Sequence, residues 1–203
     1  MAGPRQSKDP DTPSLILDVA ERLVQTRGFN GFSYADVATE LGLTRAALHY
    51  HYAGKAELGE ALIARYRERF AEALAVVDAE VDDAPAKLDA YAGLYRDVLR
   101  GRRMCLCGML AAEYQTLPKP MQDTVIRFFD DNETWISGVL EQGRTDGTLE
   151  FVGPSRETAQ MIVSGLEGAM LVARPYDDIA RFEAAAVRVL AGLAPRDDGA
   201  QPR

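Results

Sequence analysis

The chain holds 203 residues, 47% hydrophobic and 27% charged, a globular balance with enough apolar mass to bury a sizeable core. It has no run of about 18 apolar residues, so no membrane-spanning helix is expected, and its two cysteines, Cys105 and Cys107, stand too close together for a disulfide framework and point to the reducing cytoplasm. The net charge of −8 argues against nucleic-acid binding by the whole surface, but residues 1–55 carry six basic and six acidic side chains, so the entire acidic excess lies in 56–203.

Residues 1–12 are polar and Pro-rich and read as a flexible arm rather than a leader peptide. "PSLILDVAERLVQTRG" predicts a first helix, with Pro13 near its start, Ile16, Val19, Ala20 and Leu23 on one face and Gly28 past its end. "SYADVATELG" opens on Ser33 with Asp36 three residues later, a capping-box spacing, and closes at Gly42. "TRAALHYHY" follows at once, with Thr44 as N-cap. Two helices of about two turns separated by a Gly-containing turn make a helix-turn-helix. A long helix then runs from about Ala56 to Glu80, with Leu58, Leu62, Tyr66, Phe70 and Leu74 at steps of four. Further helices are predicted over 86–101, 104–115, 119–144, 155–174 and 178–193. Only "TLEFV" hints at extended backbone, and the tail 195–203 reads as disordered. The fold class is therefore all-α with about nine helices. Its organisation is an arm (1–12), a helix-turn-helix head (13–55), a helical body (56–194) and a tail (195–203).

A helix-turn-helix holds a short helix across a supporting one so that its N-terminal side chains meet base edges in the major groove. Packing Ala35, Val37, Ala38, Leu41, Leu43 and Leu48 inward leaves Thr44, Arg45, Ala46, His49 and Tyr50 facing out. Arg45 has the planar fork for guanine. Ser33, Thr44, Tyr50 and Lys55 are suited to phosphate oxygens, which set register. The neutral alternative is that Arg45 is a solvated surface residue. His49 and His51 point to different helix faces, so joint metal binding is not expected.

The segment Gly28 to Leu58, "GFNGFSYADVATELGLTRAALHYHYAGKAEL", resembles the TetR/AcrR family of bacterial transcriptional regulators. The resemblance lies in Gly-Phe, a Ser opening a helix, Leu-Gly-Leu-Thr, Leu-x-x-His-Tyr and Lys-x-x-Leu at fixed spacings. His49 departs from the family's usual Tyr and Tyr52 from its usual Phe. The resemblance implies a homodimer made by the last two helices and a cavity in each body for a small-molecule effector. It also implies a repressor released from double-stranded operator DNA when that effector binds. Small residues in "MIVSGLEGAMLVA" (Gly165, Gly168, Ala169, Ala173) and apolar ones in "FEAAAVRVLAGLA" (Ala186, Val187, Leu190, Leu193) fit close helix packing, within one chain or between two. Candidate effector contacts are Tyr66, Phe70, Tyr95, Cys105, Met109, Phe128, Asn132 and Trp135, with Tyr91 and Met161 nearby in the pattern. Their apolar and aromatic bias points to a mostly hydrophobic ligand. Asn132 interrupts an inward stripe of Met121, Val125, Phe128, Trp135 or Ile136, and Val139, and its amide needs a partner.

For the cysteines, a zinc site lacks soft ligands and no metal or other cofactor is expected. A disulfide between residues i and i+2 of a helix is geometrically poor. Two readings stay open. One is packing as small hydrophobes. The other is an electrophile- or redox-sensing repressor in which Arg102, Arg103 and a helix start near Met104 activate Cys105. An all-α enzyme is the rival class, but no nucleophile–base pair, phosphate loop or paired carboxylates support it.

Overall fold

In the computed structural model, residues 12–195 are described. The arm and tail expected at the ends lie outside them, apart from Thr12 and Pro195. Among the described residues there are nine α-helices and no strand. They are α1 (Thr12–Arg27), α2 (Tyr34–Leu41), α3 (Arg45–His51), α4 (Lys55–Glu80), α5 (Ala84–Arg100), α6 (Leu106–Ala112), α7 (Lys119–Asp146), α8 (Ser155–Ala173) and α9 (Ile179–Ala191). No described helix is long and apolar enough to cross a membrane. The chain divides into two compact units. One holds the chain up to Glu68 with Leu106–Val125, and the other Arg69–Cys105 with the chain from Ile126 onward.

The first unit is built on α1, whose Ile16, Leu17, Ala20, Leu23 and Val24 are all buried. Each such side chain contributes about 1.5–3 kcal/mol when fully removed from water. Val37, Ala38 and Leu48 from α2 and α3 complete this core. Arg65 of α4 ties α1 down by ion pairs to Asp18 at 2.8 Å and Glu21 at 3.0 Å, and by a bond to the Ser14 carbonyl at 3.2 Å.

In the second unit, α8 and α9 pack on each other and on α5. Gly165 permits that approach, since a Cβ there would stand 3.2 Å from Val189. Along α7 the buried stripe is Met121, Val125, Phe128, Asn132, Ile136 and Val139, which selects Ile136 over the half-buried Trp135. Two expectations need correction. The helix expected over 104–115 is only Leu106–Ala112, followed by a 3₁₀ turn at Tyr114–Thr116. Arg102, at φ 54°, takes the chain out of α5, and the Cys105 amide donates to the Met170 sulfur at 3.2 Å instead of opening a helix. "TLEFV" forms no strand; one backbone bond, from the Glu150 amide to the Leu193 carbonyl at 2.8 Å, anchors that loop.

Candidate nucleic-acid interface and effector core

The turn between α2 and α3 follows from local chemistry. Gly42 adopts the left-handed conformation (φ 64°) that caps α2, and the Leu43 amide bonds back to the Ala38 carbonyl. Thr44 then caps α3, its hydroxyl oxygen accepting from the Ala47 amide at 3.1 Å. Leu48 is fully buried, while Thr44, Arg45, Ala46, His49 and Tyr50 are all exposed, Tyr50 to 76%.

At the other end of α2, the Asp36 carboxylate accepts from both the Ser33 amide (2.7 Å) and the Ser33 hydroxyl (2.6 Å). These bonds hold the Asp36 carboxyl below its ordinary range. They also take the hydroxyl proton that Ser33 would otherwise offer to a phosphate. Tyr34 braces α3 from behind. Its hydroxyl donates to the Tyr52 carbonyl at 3.0 Å, and its ring lies 4.8 Å from that of His49. Partial burial, with Glu57 nearby, pushes the Tyr34 phenol up to about 12, so it stays a neutral donor. His49 Nδ1 lies 3.1 Å from the Ala53 carbonyl, and because a carbonyl only accepts, that nitrogen carries the proton. Only Nε2 then faces outward, and it can donate to a phosphate only from the doubly protonated ring.

Lys55 is placed differently from expectation. Its ammonium donates to the carbonyls of Phe29 and Phe32 and lies 4.6 and 4.2 Å from their ring centroids. Two of its three protons are thus spent on pinning the Gly28–Phe32 loop. The same loop is held by a residue the sequence reading missed. The Glu113 carboxylate, just beyond α6, accepts from the amides of Phe29 at 2.5 Å and Asn30 at 3.2 Å. Gly28, at φ +85°, is required there twice, since a Cβ would also fall 2.7 Å from Glu113 Oε1. Ser33, Arg45, His49 and Lys55 line one groove of about 440 Å³ with Phe32, Tyr34 and Ala35.

The eight expected effector contacts do not all fall in one unit. Tyr66 and Met109 belong to the first, and Phe70, Tyr95, Cys105, Phe128, Asn132 and Trp135 to the second. Within the second, Phe70 makes edge contacts with Tyr91 (6.0 Å), Tyr95 (6.3 Å) and Phe128 (5.2 Å), and Trp135 stacks on Tyr91 at 5.8 Å. Trp135 also donates its indole N–H to Asp78 at 2.8 Å. Asn132 gives its amide to the Phe128 carbonyl one turn back (2.7 Å), while its Oδ1 is buried without a partner. Met161 is half-exposed and faces away from this core.

Glu167 of α8 is the second residue missed. Its stem is part-exposed, but its carboxylate turns inward and is hydrogen-bonded by Tyr95 and Cys105. Burial raises its carboxyl from 4.5 to about 7, against the opposing pull of those two bonds. The titratable group beside the buried Cys105 thiol is therefore the Glu167 carboxyl. Arg102, expected near that thiol, is exposed and paired with Asp177 at 2.8 Å. A Glu directly after the inward Leu166 reads as surface in sequence, which is why the pattern concealed it.

Family models match most of the chain: bacterial regulatory proteins of the tetR family over residues 16–62, and the tetracyclin repressor-like C-terminal domain over 84–189. A TetR-family transcriptional regulator from Agrobacterium tumefaciens is 30% identical, covers 92% of this chain and 99% of its own, and superposes with a TM-score of 0.88. A TetR regulator from Legionella pneumophila is 33% identical over 90% and 97% of the two chains, with a TM-score of 0.79. The HTH-type transcriptional repressor NemR of Escherichia coli is 25% identical over 174 residues, 81% of this chain and 84% of its own length. These relatives are regulators, not enzymes. The braced, outward-facing α3, the match that spans it and the match over the body lead to one assignment: the chain belongs to the TetR family of DNA-binding transcriptional regulators.

Proposed function

We propose that this regulator is a cytoplasmic homodimeric repressor, with a head over 13–55 that reads a two-fold operator and a body over 56–194 that releases it when a small, mostly apolar effector binds. The observation that carries the reading is the exposed set Thr44, Arg45, Ala46, His49 and Tyr50 on a helix whose inner face is locked by Leu48 and Tyr34. Arg45 is the base-reading residue. Thr44 and Tyr50 serve phosphates, as does His49 when doubly protonated. Ser33 and Lys55 act chiefly by holding the loop and the start of α2 in position. Dimerisation through α8 and α9 is supported by apolar side chains left outward on both helices.

The test is fluorescence anisotropy with DNA from the regulator's own upstream region. Arg45→Ala should weaken specific binding by about 1–3 kcal/mol while sparing non-specific binding. Absence of salt-dependent binding by the wild type to any promoter-proximal DNA would sink the reading. Release by covalent modification of Cys105 is the second reading, favoured by the position of that thiol against the effector core. Under it, a thiol-reactive electrophile releases the wild type from DNA but not Cys105→Ser. Equal release of both removes it.

A further inference from the structure

The carboxylate of Glu167 is not balanced by what surrounds it. Oε1 is shut off from solvent with no hydrogen-bond donor. The groups bonded to the carboxylate are the Tyr95 hydroxyl, which burial holds well above its ordinary range, and the Cys105 thiol, neither of them a cation. A carboxylate only accepts, so Tyr95 must point its proton at Glu167, and the Tyr91 hydroxyl, 3.1 Å away, then donates to Tyr95. This relay leaves one carboxylate oxygen without a donor and brings no counter-charge to the group when it ionises, which burial delays to about 7. Burying a charge without a counter-charge costs more than two neutral hydrogen bonds return. Tyr95 and the rings packed with it, Tyr91, Phe70 and Phe128, offer aromatic faces, which attract a cation.

We infer that the effector carries a protonated amine on an aromatic or aliphatic frame, its N–H donated to Glu167 Oε1 and its frame laid against the rings of Phe70, Tyr91 and Phe128. This rests on the reading of the body as an effector domain and names the ligand's class. A quaternary ammonium would supply the charge but no N–H. An alcohol would supply the donor but no charge. A protonated primary or secondary amine supplies both. The apolar lining expected from the sequence then serves the frame, and Glu167 selects the head.

The protein holds a built-in reporter, because its single tryptophan, Trp135, stacks on Tyr91 within this core. Full-length protein at neutral pH is titrated with 2-phenylethylamine and, separately, with the neutral 2-phenylethanol, following Trp135 fluorescence. The wild type should bind the amine more tightly by about tenfold or more. Glu167→Gln should lose that preference while binding the alcohol as before, and Glu167→Asp, which keeps the charge, should retain it. Thermal melts show that each variant is folded, and if the Gln variant is not, the wild-type preference and its retention in the Asp variant decide. Equal affinity for amine and alcohol, an unchanged preference in Glu167→Gln, its loss in Glu167→Asp, or no saturable response to the amine overturns the inference. Operator binding without ligand is measured in parallel. Its absence sinks the repressor reading alone, whereas intact operator binding without an amine preference sinks this inference alone.

Discussion

Glu167, Gly28 and Glu113 each act through contacts far along the chain. Burial raises the Glu167 carboxyl to about 7 from 4.5, so between those values the folded protein binds a proton that the unfolded chain has released. The contribution is therefore fully present below pH 4.5 and is lost as pH rises towards 7, by roughly 3 kcal/mol for a shift of this size. Chemical denaturation at pH 5 and pH 8 should show this decline in the wild type and a flatter profile in Glu167→Gln; parallel profiles would contradict it. At Gly28, a side chain meets both a left-handed backbone and the Glu113 carboxylate. Gly28→Ala should cost about 1–3 kcal/mol, read as a lowered melting temperature. Glu113→Gln keeps the shape but weakens two charge-assisted bonds to the Phe29 and Asn30 amides. A loss of about 1–2 kcal/mol is expected, with weaker operator binding because the loop that leads into α2 is freed. None of these partnerships was legible in the sequence. Glu113 lies 84 residues from Phe29, and no periodicity or cap rule connects positions so distant.

At the scale of elements the sequence was far more legible, because helix ends are local chemistry. Asp36 at N3, Gly42 at the left-handed cap and Thr44 at the next N-cap set the α2–turn–α3 unit within a residue of the expected bounds. The outward set on α3 followed from packing Leu48 inward together with the apolar residues of α2 and its turn. Lys55 was harder to place, since its spacing said only that it begins α4, while its ammonium bonds carbonyls 23 and 26 residues upstream. The α6 segment misled because Cys105 and Met104 are apolar enough to continue a helix, yet the Cys105 amide is claimed by Met170. A Thr44→Ala change tests the capping account. Loss of the bond to the Ala47 amide should cost about 1 kcal/mol of stability. Thr44→Asn, another good cap, should restore the stability; failure to do so would show that the hydroxyl does something other than cap.

For the whole molecule, the decisive feature is that α8 and α9 are apolar on two sides. Their inner faces, with Ile162, Leu166 and Met170 on α8 and Phe182 and Ala186 on α9, are buried. Their outer faces are apolar too. On α8, Met161, Gly168, Leu171 and Val172 recur at i, i+7, i+10 and i+11, and on α9, Ala180, Ala184, Val187 and Ala191 recur at i, i+4, i+7 and i+11. Met161, Leu171, Val172 and Val187 are each more than half exposed. A helix with apolar stripes on opposite faces has a second surface to cover, and the small residues along α9 let a partner helix approach closely. Of the small residues, Gly165 is used inside the chain, while Gly168 is left open on the outer face. Replacing Leu171 and Val187 together by Glu places two charges on the outer stripes without touching Leu48, Arg45 or the packing of α1. The double variant should sediment as a monomer at concentrations where the wild type is a dimer. Its affinity for a full operator should fall by about 10²-fold or more, because the second head no longer binds as an intramolecular partner. Binding to an isolated half-site should stay as weak as that of a single wild-type head. A variant that remains dimeric would move the interface away from these stripes, and a monomer with undiminished operator affinity would show that the two heads do not act together.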